Sequence, residues 1–411
     1  MLVYGVLLLA LLAGALPSSP IIEIREPKAS LPFARRINAT GTTIPAHDRA
    51  RAAHLLSLGK SRASGSQPAK RQSSIDVINE VVTYVAEVGV GNPPTTYSLL
   101  IDTGSSNTWL GASKAYVLTS TSRTTGNLVT VTYGSGFFAG SEFTDTVTFT
   151  KNLTITGQSI GVAVIAEGFQ GVDGILGIGP TDLTEGTLIP SLAAIPTVTD
   201  NLFSQGKISQ EVVGIFFAPT TTESATNGEM TFGGVDTAKT TGEVVFTPIT
   251  STSPASEFFG IDQMITYGDN GTTVLPSTAG ITDTGTTLIL LETDAFNTYT
   301  SLTGATEDAT TGLLSISPEN YANLQSLFFN IGGTTFEFTK NAQTWPRSLN
   351  TDIGGSADDI FLVLADLGTL GGEGLDFING FTFLERFYSV FDSSNSRVGF
   401  ATTAHTFDET N

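Results

Sequence analysis

The chain has 411 residues, 40% of them apolar, with no cysteine and only three histidines. That is enough apolar material for one large or two medium cores, while the lack of cysteine removes thiol catalysis and any disulfide frame. His47 and His54 lie early and His405 near the end, so a Ser-His-Asp triad or a histidine metal site has almost nothing to be built from.

Charge divides unevenly. Residues 1–71 carry ten Lys or Arg against Glu23, Glu26 and Asp48, a balance of +7, whereas the rest holds nine basic and 36 acidic side chains, a balance of −27. So acidic a body argues against nucleic-acid binding.

Residues 2–12 form an apolar run too short to cross a bilayer comfortably, followed by the small residues Ala13-Gly14-Ala15. This predicts a secretory signal peptide over residues 1–15 and a secreted, extracellular product with no membrane association after its removal. The alternative, a membrane anchor, lacks a basic stop-transfer flank, and the polar residues 403–411 provide no lipid-anchor tail. Residues 16–71 read as a basic propeptide ending in Lys70-Arg71, with linker composition over residues 61–68. A +7 strip can lie on a −27 body at neutral pH and lose that attraction as carboxylates protonate; a disordered tail without inhibitory role is the alternative.

From Val77 onward Thr, Val, Ile and Phe alternate at short spacing between Gly, Asn, Asp and Pro, which predicts a mainly β body. Tyr84 to Val90 and Tyr97 to Ile101, joined at Asn92-Pro93-Pro94, form one strand pair. Helical signals are few: Asp200 capping residues 201–205, residues 294–300, and residues 318–324. Asn38, Asn152 and Asn270 begin glycosylation sequons.

One repeat outweighs these elements. Leu100-Ile101-Asp102-Thr103-Gly104-Ser105-Ser106 returns 181 residues later as Ile281-Thr282-Asp283-Thr284-Gly285-Thr286-Thr287. A strand running into Asp, a tight turn and two hydroxyls, twice over, predicts two lobes of like architecture, residues 72–244 and 245–411. If a twofold relates them, the carboxylates of Asp102 and Asp283 meet on its axis. Two such groups cannot both ionise easily, so one holds a proton and the other is an anion. A water between them can then be activated while the acid polarises a carbonyl, which is hydrolysis without cofactor or metal.

With its paired turns, leader and basic propeptide, the chain resembles the pepsin family of aspartic endopeptidases over residues 75–404, with a layout similar to the polyporopepsin-type enzymes of basidiomycete fungi. That resemblance implies a bilobal β fold with a central cleft, a zymogen inhibited by its own propeptide, a monomer, and polypeptide substrates. It also implies a substrate-covering flap at Tyr133, Gly134 and Ser135, with Trp109 donating to the Tyr133 hydroxyl. Ser105 and Thr286 match the hydroxyls that bond the carboxylates, and Thr103 and Thr284 match the pair that braces the lobes. Gly104 and Gly285 complete the turns.

Asp173 to Gly177 is similar to the apolar-apolar-Gly segment behind the first aspartate. In the second lobe Asn379 of Phe377-Ile378-Asn379-Gly380 stands where the family has an aliphatic residue. Residues 387–392 and 397–401 resemble the closing strands. Leu100, Phe137, Phe169 and Ile281 are candidate substrate-pocket residues favouring bulky apolar side chains, with core packing as the alternative for the last three. Ser135 stands where lysine-accepting relatives carry Asp, which predicts poor cleavage after lysine. Arg35 or Arg36 is expected near the dyad in the zymogen, and cleavage after Arg71 is an alternative route to activation. An inactive pepsin-like binding protein would break one of the two turns or the flap, which this chain keeps; a two-carboxylate glycosidase has no call for the duplicated turn.

Overall fold

The computed structural model describes residues 29–37, 42–65, 82–134, 136–222 and 225–410. The leader, the Lys70-Arg71 pair, Asn38 and Ser135 therefore lie outside the described residues. None of the described helices is long and apolar enough to cross a membrane.

The leading segment contributes a strand, β1 (Ala29–Ile37), and a helix, α1 (Ile44–Ala63). The helix starts where the Thr43 hydroxyl accepts from the Ala46 N–H at 3.4 Å and Pro45 occupies the first turn, where a missing N–H costs nothing. It continues through a run of Ala, Leu and Arg, all good helix formers, and ends with Lys60 and Arg62 against the negative end of its dipole. No helix is among those expected from the sequence in this segment.

The strands β2 (Val82–Val90) and β3 (Thr95–Asp102) form the expected pair around Asn92-Pro93-Pro94. They are followed by β4 (Thr108–Leu110), β5 (Arg123–Thr132), β6 (Phe137–Thr150), β7 (Leu153–Glu167) and β8 (Gly174–Gly177). A sheet of 14 strands runs through the molecule, and β1 lies inside it, bonded to β2 on one side and to Ala225–Phe232 on the other. The closing strands Phe387–Asp392 and Arg397–Thr402 belong to this same sheet. A second sheet of seven strands carries the Asp283 half.

Phe, Ile, Leu and Val side chains from both halves fill one large buried cluster, joined by Leu31, Phe33, Ile44 and Leu55 of the leading segment. That segment is thus part of the core, and about 1.5–3 kcal/mol of hydrophobic stabilisation attaches to each such side chain fully buried. The helix Val198–Ser204 is capped by Thr197, and Asp200 answers from the third position of a capping box, its carboxylate accepting from the Thr197 N–H at 2.7 Å. Helices at Thr293–Thr303 and Pro318–Ala322 stand close to where the sequence signals put them.

Candidate active site

Each aspartate ends or closely follows a strand whose apolar residues are sealed in the core. In the first half β3 pairs in parallel with β8, Ile101 opposite Leu176 and Asp102 opposite Gly177. In the second, Thr272–Thr282 pairs in parallel with Phe377–Asn379, Ile281 opposite Ile378 and Thr282 opposite Asn379. The repeat in sequence is a repeat in register, and it delivers both carboxylates to one point.

That they meet is plain from the glycines. A Cβ built on Gly104 would come within 2.7 Å of Asp283 Oδ1, and one on Gly285 within 2.8 Å of Asp102 Oδ1. Each turn needs glycine because the carboxylate of the other half occupies the space. Both aspartates are fully buried.

The supporting bonds are nearly twofold. Ser105 Oγ donates to Asp102 Oδ2 at 2.5 Å and Thr286 Oγ1 to Asp283 Oδ2 at 2.6 Å. The Gly104 and Gly285 N–H groups donate to Oδ1 of Asp102 and Asp283 at 2.9 and 3.2 Å. Beneath them the halves are cross-braced: the Thr103 N–H donates to Thr284 Oγ1, and the Thr284 N–H to Thr103 Oγ1, both at 3.0 Å. Buried N–H groups rarely stay unpaired, and here each half satisfies the other's.

Tyr133 and Gly134 lie at the tip of the β5–β6 hairpin. Trp109 Nε1 donates to the Tyr133 hydroxyl at 2.9 Å, and Phe169 packs edge-on against both rings at 4.9 and 5.3 Å. Leu100, Tyr133 and Phe169 share one buried cluster, Phe137 is half-buried at the start of β6, and Ile281 is fully buried in the large core cluster.

Between the carboxylates stands a residue the sequence reading did not place there, Arg51 of α1. Its Nη2 donates to Asp102 Oδ1 at 2.5 Å and to Asp283 Oδ1 at 3.0 Å, and its Nε donates to Asp283 Oδ2 at 2.7 Å. Gly134 closes over the same helix: a Cβ there would meet Arg51 Cα at 2.3 Å. Burial works against the charge on Arg51, but both carboxylates hold its pKa well above the ordinary value. Burial and the neighbouring Asp283 charge raise Asp102 against the opposing pull of Arg51. Asp283 faces the same burial, yet the Arg51 charge, the Arg51 bonds and the Thr286 hydroxyl outweigh it and hold it below the ordinary range. Arg51 therefore favours a closed site with Asp283 ionised.

The expectation of Arg35 or Arg36 at the dyad is corrected. Pairing on both edges of β1 fixes Arg35 opposite Tyr84. Its buried guanidinium lies 3.6 Å from Glu385 Oε1 and 5.1 Å from the Trp345 ring centre, while the Arg36 side chain lies outside the described residues.

Three further contacts seat α1. Asp48 Oδ2 accepts from the Thr287 and Leu288 N–H groups at 3.1 and 2.7 Å, just past the second turn, with His47 Nδ1 3.2 Å from its other oxygen. Arg49 Nε donates to the Asp366 carbonyl at 3.2 Å. Lys60 pairs with Glu373 at the rim. Arg51 was missed because it is one of ten basic residues before the body, and Asp48 because nothing local marks its target; only the helix register selects them. The run from Thr43-Ile44-Pro45 through Ala52-Ala53 was the available signal for that helix.

No group of three or more His, Cys, Asp or Glu that could hold a metal occurs among the described residues. Two buried carboxylates, bonded through their outer oxygens and facing each other through their inner ones, can bind and activate a water against a carbonyl. Residues 83–403 match the family model for eukaryotic aspartyl protease, and the chain belongs to that family, the pepsin-like aspartic proteases. It hydrolyses peptide bonds. It is 63% identical to polyporopepsin from Irpex lacteus over 81% of this chain and 98% of the relative. To rhizopuspepsin-1 from Rhizopus niveus it is 31% identical over 84% of this chain and 83% of the relative. The crystal structure of the aspartic proteinase from Irpex lacteus superposes with a TM-score of 0.80 at 54% identity, covering 94% of this chain and 100% of that one.

Proposed function

We propose that the chain is made as a secreted zymogen in which Asp102 and Asp283 are the catalytic carboxylates and residues 16–71 are the prosegment that blocks them. The observation that carries this reading is Arg51 Nη2 within hydrogen-bonding reach of both inner carboxylate oxygens. Once the prosegment leaves, a water takes that position. The ionised carboxylate accepts a proton from this water as its oxygen adds to the scissile carbonyl carbon. The protonated carboxyl gives its proton to the carbonyl oxygen, yielding a neutral gem-diol. The carboxyl that took the water's proton then gives it to the amide nitrogen while the other carboxylate takes a proton from a diol hydroxyl, so the C–N bond breaks to an acid and an amine and one proton stays on the dyad for another cycle.

Tyr133 and Gly134, with Ser135 beside them, form the flap over the substrate, and Trp109 holds Tyr133 in place. Thr103, Gly104, Ser105, Thr284, Gly285 and Thr286 keep the dyad in geometry. Leu100, Phe137, Phe169 and Ile281 favour bulky apolar residues around the scissile bond, and Ser135 offers no charge for lysine. The enzyme acts as a monomer, with residues 72–244 and 245–411 as its lobes. The prosegment is held on the body by Arg51 at the dyad, Arg35 at Glu385 and Asp48 at the Thr287–Leu288 turn among other contacts, so cutting after Arg71 alone leaves it seated at neutral pH. Incubating the purified zymogen at acid pH with a library containing Phe- and Lys-flanked peptides, with and without Asp283→Asn, tests the reading. Cleavage beside Phe, little beside Lys, and none in the variant is expected; undiminished cleavage by the variant overturns it.

A further inference from the structure

Asn379 stands in a buried strand directly behind Asp283, and its side chain has one partner, Gln263. Asn379 Nδ2 donates to Gln263 Oε1 at 2.8 Å, and Gln263 Nε2 donates back to Asn379 Oδ1 at 3.2 Å. Gln263 is 1% exposed and Asn379 not at all. Two primary amides face each other in the core, 116 residues apart in sequence.

The main chain of Asn379 is where the aspartate turn is hung. Its carbonyl accepts from the Asp283 N–H at 3.1 Å. The next three residues continue the attachment: the Gly380, Phe381 and Thr382 N–H groups donate to the carbonyls of Leu288, Thr286 and Thr287 at 3.1, 2.8 and 3.1 Å. The segment thus holds both Asp283 and the Thr286 whose hydroxyl bonds it.

In the first half the same places are apolar. Leu176 stands opposite Ile101 as Asn379 stands opposite Thr282. Val85 opposite Leu100 corresponds to Gly260 opposite Ile281, so Val88 corresponds to Gln263. Val88 and Leu176 are fully buried in the core cluster. An apolar pair would therefore fill the space, and burying two amides gains nothing from hydrophobic transfer. What the amides add is direction. Direction is needed here, because the pairing of Gly260–Tyr267 with Thr272–Thr282 slips register immediately after Gln263, between Gln263 and Ile265. That slip lies at the far end of the Gly260–Gln263 stretch paired with Ile281–Thr278, and the amide pair ties that end back to the strand behind Asp283.

We infer that the Gln263–Asn379 amide pair is a positioning device for Asp283, fixing the strand beneath it so that the Asn379 carbonyl meets the Asp283 N–H. This rests on Asp283 being one of the two catalytic carboxylates. Neither amide touches the substrate, so both are positioning residues.

A double-mutant cycle on the activated enzyme tests it, with Gln263→Leu, Asn379→Leu and the double variant, reading kcat, KM and Tm. Each single variant should lower kcat about tenfold with KM little changed, and the double should be no worse than either single, because the pair acts as a unit. A lower Tm with unchanged kcat, or losses that multiply in the double, overturns the inference. Should the leucine variants not fold, Gln263→Glu replaces them. Its carboxylic acid can donate to Asn379 Oδ1 only while protonated, and burial raises its pKa, so its kcat relative to wild type should be near one at low pH and fall several-fold as pH rises through that raised value. A ratio independent of pH overturns the inference too. Asp283→Asn run alongside separates the two readings: retained activity there defeats the dyad assignment whatever the cycle gives.

Discussion

In both halves a hydroxyl three residues past the aspartate donates to its outer oxygen, and in both a glycine N–H serves the inner one. Yet Arg51 gives Asp102 one bond and Asp283 two, and Asp48 anchors only the turn after Asp283. The pKa directions follow the same split, Asp102 up and Asp283 down. Main-chain architecture repeats faithfully, so the inequality is imposed by what the leading helix presents. On the proposed zymogen reading it belongs to the blocked state and should vanish with it, except for what the Gln263–Asn379 pair leaves behind.

The largest effect expected is from removing either carboxyl group. Asp102→Asn and Asp283→Asn should each reduce kcat/KM of the activated enzyme by about 10³-fold or more, and by similar factors, since acid and base are both needed. A large difference between them would break the claim that the active pair is a unit.

Arg51→Met sharpens the comparison from the other side. If residues 16–71 are the blocking prosegment, the Arg51 clasp that holds Asp283 low is present above the ordinary carboxylate pKa and is lost as pH falls through the depressed value. Without Arg51 the leading segment, cut after Arg71, should leave at a pH higher by about one unit or more. Retention can be followed by size-exclusion chromatography across pH, and an unchanged midpoint contradicts the role given to Arg51.

The brace offers a symmetric test. Thr284→Val strands the buried Thr103 N–H and Thr103→Val strands that of Thr284. Each should cost about 1–3 kcal/mol, seen as a Tm lower by a few degrees. Unequal losses would mean the halves do not share the load evenly.

His54 should give the smallest effect. Burial first and the Arg51 charge second lower its pKa to about 4 in the blocked state. A lowered value means the closed state prefers the neutral ring, so this contribution is whole above about 6.5 and is lost as pH falls toward 4. Imidazole proton shifts in the zymogen should titrate near pH 4, and in the activated form His54 is gone with the helix. A midpoint at the ordinary histidine value would place the ring in water instead.

What the sequence made legible was local. Asp102 and Asp283 are readable because strand, aspartate and glycine are contiguous, whereas the flap at Tyr133-Gly134 came only through the family resemblance. The Trp109–Tyr133 bond, 24 residues apart, came through the family resemblance and was found at 2.9 Å. The destination of Arg51 was not legible, since it depends on a helix crossing to residues 51 and 232 positions away. Arg35 or Arg36 is the expectation for that place because a basic side chain in the leader carries no sign of whether it will be wedged against Glu385 or against the dyad. Asn379 stood out as a departure, but its answer, Gln263, lies in a strand that nothing local connects to it.

One proton shared between two opposed carboxylates should leave its mark on the pH profile of kcat/KM for the activated enzyme. That profile should be a bell bounded by two carboxylate ionisations, one limb where the anion is protonated and the other where the acid is lost. A profile with a single limb, or a neutral optimum unaffected by replacing either aspartate, would contradict it.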